Sequence, residues 1–66
     1  MKITINGKPQ NFTAPLDIAA TLEQTGYAGK IVAVALNGEF VSRSNYADTI
    51  LKDGDDIEIV APMQGG

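Results

Sequence analysis

Two Asn-Gly dipeptides, Asn6-Gly7 and Asn37-Gly38, each follow a short alternating run that carries apolar residues. Both central residues of a type I′ turn need φ > 0, and Asn-Gly accepts this most readily, so each dipeptide predicts a two-residue β-hairpin. The first hairpin joins Lys2-Ile3-Thr4-Ile5, with Ile3 and Ile5 on one face, to a strand expected over residues 10–13, with Pro9 near its start. Proline lacks the N–H that a central strand donates, so this second strand belongs at a sheet edge. The second hairpin joins residues 32–36, where Val32, Val34 and Leu36 alternate with Ala33 and Ala35, to residues 39–41. Ile57 and Ile59, alternating with Glu58 and Val60, predict a fifth strand, which Pro62 ends.

Between the hairpins lies the one helical signal. Asp17 is placed to cap a helix from Ile18 to about Thr25, with Gly26 just past its end. Ile18 and Leu22 are four residues apart and share a face; Thr21 and Thr25 are expected to widen that face only weakly. So short and weakly amphipathic a helix needs a sheet to lie on. Residues 43–49 read as polar and irregular, with one short helical turn near Tyr46, and Ile50 and Leu51 as a small satellite apolar pair. Asp53-Gly54-Asp55 reads as a turn. The economical solution is an α+β fold, a mixed five-stranded sheet with the helix packed across one face. The β-grasp arrangement suits this order best, and in that fold type the last strand inserts in the middle beside the first. One domain over residues 1–62 followed by a flexible tail over residues 63–66 is the expected organisation.

The composition removes most chemistry. The 66-residue chain has no Cys and no His, which excludes disulfide staples, Cys/His zinc sites, Cys nucleophiles and His bases. A domain of this size buries only about 60% of the surface its unfolded chain exposes. Hollowing out a substrate pocket of about 300–1,000 Å³ would remove its core, so the expectation is a protein that is not an enzyme. Five basic and eight acidic side chains give a net charge of −3 without a basic cluster, which argues against nucleic acid and for a basic patch on a protein partner. The longest apolar run, Ile31 to Leu36, is six residues, so no membrane span and no secretory signal are expected. Asp53, Asp55 and Asp56 lack the further ligands of a calcium loop and read as turn residues, leaving no metal site. Arg43 is either a grip for a partner's carboxylate or a solvated loop charge. The glycines form no phosphate-binding spacing.

Two features remain that folding does not use. If Asn37-Gly38 is the whole turn, Ala35 faces Phe40 and Val34 faces Val41, which turns Phe40 outward beside the small Ala33 and Ala35. Val60 has the same outward parity, opposite to Ile57 and Ile59. Phe40, Ala33, Ala35, Val60 and Met63 are therefore expected to form an exposed apolar patch, the mark of a partner surface. The second feature is the ending, Pro62-Met63-Gln64-Gly65-Gly66. Gly-Gly has no side chains and can thread a channel that any Cβ would block, carrying the α-carboxylate of Gly66 at its tip; the competing reading is a frayed terminus.

Taken together, Ile3-x-Ile5-Asn6-Gly7, Leu36-Asn37-Gly38-Glu39-Phe40-Val41, Arg43-Ser44-Asn45-Tyr46, the run from Leu51 to Val60 and the final Gln64-Gly65-Gly66 resemble the ThiS family of sulfur carrier proteins. The resemblance spans essentially the whole chain. It implies a ubiquitin-like fold and a role in making the thiazole ring of thiamin. It further implies that Gly66 is adenylated and converted to a thiocarboxylate, with Gly65 and Gln64 threading into the partner. The implied partners are a ThiF-type adenylating enzyme, which uses ATP, a ThiG-type thiazole synthase and a sulfur-donating enzyme. The chain itself would hold no cofactor, and would be cytoplasmic and monomeric when free. Ser42 stands where relatives often have Pro, and the tail from Pro62 is similar to that of MoaD, the related carrier of molybdopterin synthesis. Chain length and residues 37–46 favour ThiS. The reading from another class is a non-reactive β-grasp interaction module.

Overall fold

The computed structural model describes residues 1–61. Its elements run β1 (Lys2–Ile5), β2 (Lys8–Asn11), α1 (Ile18–Gln24), β3 (Ala33–Leu36), β4 (Glu39–Val41), a 3-10 turn (Arg43–Asn45) and β5 (Asp56–Val60). The strands form one mixed sheet in the spatial order β2-β1-β5-β3-β4. The last strand lies in the middle, parallel to β1 and antiparallel to β3. This is the expected β-grasp sheet.

Both hairpins turn as their dipeptides require: φ is 52° at Asn6 and 83° at Gly7, and 50° at Asn37 and 85° at Gly38. One boundary needs correction. The second strand begins at Lys8, not at Gln10, and all of its residues are exposed. A two-residue loop dictates this register, because Ile5 must then face Lys8 and Thr4 must face Pro9. The strand is set by its turn and shows no alternation of its own. Pro9 sits on the edge strand, where its missing N–H is tolerated.

The helix is stopped at both ends by its own residues. The Asp17 carboxylate accepts a hydrogen bond from the Ala20 N–H at 2.7 Å, satisfying one of the donors left open at a helix start. At the other end Gly26 adopts φ 90°, the Tyr27 N–H donates to the Leu22 carbonyl at 2.8 Å and the Gly26 N–H to Glu23 at 3.4 Å. That pair of bonds is a Schellman stop. Ile18, Leu22 and Thr21 face the sheet. Thr21 is fully buried, more than its expected weak contribution. Its hydroxyl donates to the Asp17 carbonyl at 2.8 Å, so burying it leaves no orphaned polar group.

Ile3, Ile5, Val34, Ile57 and Ile59 pack with Ile18 and Leu22, and with Leu16 and Leu51 from the connections. Leu51 therefore belongs to the main core, and the expected satellite pair is corrected: Leu51 is 4% exposed, Ile50 58%. The physical reason is local. Ile50 bridges to Asp17 and the Leu51 N–H donates to Leu16 at 2.8 Å; in extended chain, neighbours point to opposite sides.

The two hairpin asparagines also fasten β5. The Ile59 N–H donates to Asn6 Oδ1 at 2.7 Å, and Asn6 Nδ2 donates to the Ile59 carbonyl at 3.1 Å. The Asn6 side chain thereby adds a rung to the parallel ladder after its backbone has turned away. At the other end of β5, the Asp56 N–H donates to Asn37 Oδ1 at 2.9 Å, and Asn37 Nδ2 to Asp55 Oδ1 at 3.1 Å.

Candidate functional site

The outer face of the sheet, opposite α1, carries two of the exposed large apolar residues, Phe40 and Val60. Register places Ala35 between Phe40 on β4 and Glu58 on β5, and Ala33 beside Val60. The two alanines form a low floor, with Phe40 and Val60 as walls. Phe40 is 74% exposed and Val60 63%. Together with Glu58 they line a groove of about 150 Å³. The parity that placed Phe40 and Val60 outward is therefore the observed one, and the structure brings Ala33, Ala35, Phe40 and Val60 together.

Glu58 is the member that the sequence reading passed over. It shares the parity of Val60, two residues away, so the same alternation would have found it. Its carboxylate gives an otherwise apolar groove one anionic wall. An occupant must therefore offer apolar surface and, opposite Glu58, a cation or hydrogen-bond donor.

The other candidates fall elsewhere. Met63, Gln64, Gly65 and Gly66 lie outside the described residues. Val60, a wall of the groove, is the last residue of β5, so the chain leaves the sheet beside the patch. Arg43 opens the 3-10 turn and is exposed; it does not line the Phe40 groove. The acidic turn is structural: Asp53 accepts from the Lys2 N–H at 2.6 Å. Asp55, buried, accepts from the Lys52 N–H at 2.8 Å and from Asn37. Among the described residues no group of three or more His, Cys, Asp and Glu is placed to hold a metal.

The ThiS family model matches residues 3–66. The sulfur carrier protein ThiS of Thermus thermophilus is 40% identical over 67 positions, covering 97% of this chain and 98% of that one. Two thiazole synthases match the whole of this chain, that of Paramagnetospirillum magneticum at 44% identity and that of Magnetococcus marinus at 39%. This chain spans only 20% of the length of each. The crystal structure of a thiamine biosynthesis protein (ThiS) from Geobacter metallireducens superposes with a TM-score of 0.84 at 36% identity, covering all of both chains. With a matching sheet, a full-length relative and a family match that reaches its final glycine, the chain belongs to the ThiS family.

Proposed function

We propose that this protein is a sulfur carrier of thiamin biosynthesis, in which the Gly66 carboxylate is the group that reacts. The observation that carries the reading is the family match, which extends over the whole fold and on through Gly65-Gly66. A carboxylate is a poor electrophile. In the proposed cycle its oxygen attacks the α-phosphorus of an ATP held by a ThiF-type partner, and pyrophosphate leaves. A sulfide-equivalent nucleophile from a donor enzyme then attacks the acyl carbon of the mixed anhydride, and AMP leaves. The product is a thiocarboxylate, which hands its sulfur to the thiazole synthase.

The residues divide the work accordingly. Gly65 and Gln64 thread the tail, and the absence of a Cβ at Gly65 is what permits a narrow channel. Phe40 and Val60, with Met63 beyond them, seat the carrier so that the carboxylate reaches the partner's site. Four extended residues reach at most about 13–14 Å. The thiazole synthase is supported as a partner by the two relatives of that name, each of which contains a stretch matching this chain. All catalytic groups and the ATP belong to partners, and the setting is cytoplasmic.

The test is ATP–pyrophosphate exchange with the adenylating enzyme. Gly65→Val, and a chain lengthened by one residue beyond Gly66, should both fold normally and fail to support exchange. The lengthened chain displaces the carboxylate by about 3.5 Å, and a misplacement of about 1 Å already costs roughly 100-fold in rate. Normal exchange by both variants refutes the carrier reading. Growth rescue of a thiamin-requiring strain, set against a molybdopterin-deficient one, decides which pathway receives the sulfur.

A further inference from the structure

A second groove opens on the opposite side of the same sheet end. The Schellman stop at Gly26 turns the chain off α1, and residues 27–32 cross to β3 with the Lys30 N–H donating to Tyr27 at 3.0 Å. The 3-10 turn forms the facing wall, held to the crossing by the Tyr46 hydroxyl, which donates to the Val32 carbonyl at 3.3 Å. Between them is a cleft of about 290 Å³ with Leu22, Val32, Tyr27 and Tyr46 in its lining and Lys30 and Arg43 on it as well. Both cations are exposed. Among the described residues lining it Glu23 is the one acidic side chain, so these residues carry a local excess of positive charge in a chain of net charge −3.

Its position relates it to the tail. Ala33 faces Val60 in the last pair of the β3–β5 ladder. Ala33 lines the Phe40 groove, and its chain neighbour Val32 lines the second one. Residues of α1 line the second groove, whereas the Phe40 groove lies on the face opposite α1, so the point where the chain leaves β5 is flanked by one groove on each side of the sheet. Five extended residues span at most about 17 Å, so a partner that takes in residues 62–66 works close enough to this end to meet both grooves. The cleft's volume of about 290 Å³ has room for one large side chain of a protein.

We propose that this groove is the second half of the docking surface for the adenylating partner. It takes an apolar side chain of that enzyme, with a neighbouring carboxylate facing Lys30 and Arg43. The proposal rests on the carrier reading and extends it: the sheet face supplies apolar contact near Glu58, and the helix side supplies a basic rim of opposite sign. Two unlike grooves around one tail fix orientation, because a carrier docked back to front would set like charges against each other.

The experiment is pyrophosphate exchange by the full chain at low and high salt, comparing wild type, Phe40→Asp and the double variant Lys30→Glu/Arg43→Glu. Both exposed positions should accept the change, and unaltered circular dichroism and melting establish that the fold is kept. Steering by a charged rim raises association about tenfold or more at low ionic strength, so the double variant should raise KM about tenfold, leave kcat unchanged, and lose most of the difference in high salt. A wild-type KM for the double variant, with Phe40→Asp impaired, overturns the proposal and leaves the carrier reading standing. No exchange by wild type overturns the carrier reading, and this proposal with it. Amide shifts at Lys30 and Ile31 on adding inorganic phosphate or AMP alone would mark a small-anion site and overturn the acidic protein segment as occupant.

Discussion

Asn6 offers the sharpest test of how this sheet is held together, because its two roles make opposite demands. As a turn residue at φ 52° it is replaceable by glycine, which takes positive φ without strain. As a clamp on β5 it is not, because glycine has nothing to offer Ile59. Asn6→Gly removes the bond from Asn6 Nδ2 to the Ile59 carbonyl and the bond from the Ile59 N–H to Oδ1. Each hydrogen bond contributes about 0.5–1.5 kcal/mol net. Glycine also gives the unfolded chain about 0.4–1 kcal/mol more conformational freedom. The expected loss is about 2–3 kcal/mol, a large share of the roughly 3–10 kcal/mol typical for a domain this size. At about 4–8 °C per kcal/mol the melting midpoint should fall by about 8–24 °C. The chain has no Trp and only two Tyr, so far-UV circular dichroism in urea is the suitable readout. Amide exchange at Ile59 should accelerate in step. Asn6→Asp keeps the acceptor and loses the donor, and should fall between the two. A midpoint for Asn6→Gly at or above wild type refutes the clamp and leaves Asn6 a turn residue only.

Leu22→Ala should lower stability by about 2–5 kcal/mol, since Leu22 is 7% exposed; an unchanged urea midpoint would show that the helix does not pack as described. Asp17→Ala, which strips the acceptor from the Ala20 N–H, should cost about 0.5–2 kcal/mol by the same measurement. Phe40→Asp should melt like wild type, because the ring is 74% exposed. It should weaken binding to the adenylating enzyme by about 2 kcal/mol or more in calorimetric titration. If it unfolds the protein instead, Phe40 supports the fold and not the partner surface.

These predictions draw unequally on the sequence. The two hairpins, the capped helix, the inward Ile3, Ile5, Ile57 and Ile59 and the outward Phe40 and Val60 were all legible, because each is decided within a few residues by turn chemistry or strand parity. The start of β2 at Lys8 was not, because Lys8–Asn11 carries no alternation and its pairing is imposed by the turn before it. Leu51 was misplaced for a related reason: whether an isolated apolar residue reaches the core depends on which distant segment lies against it, here Leu16. Thr21 was undervalued because its polarity is cancelled by a bond to its own helix, at the Asp17 carbonyl.

The asparagines show why the same residue can be read correctly and still incompletely. Local rules identify Asn6 and Asn37 as left-handed turn residues, and both are. What those rules do not contain is that β5 inserts between the hairpins, bringing Ile59 under one turn and Asp56 under the other. A glycine-glycine turn would satisfy the hairpins and leave the ends of the central strand held by fewer bonds. That matters for the outer face as well as for stability, because β5 ends at Val60, a wall of the Phe40 groove. A β5 that slipped by one residue would turn Val60 to the inner face and exchange it with Ile59. The Asn6 bonds to Ile59 oppose such a slip at the residue next to Val60, so one side chain that looks like punctuation fixes both the register of the core and the face on which the Phe40–Val60 groove is built.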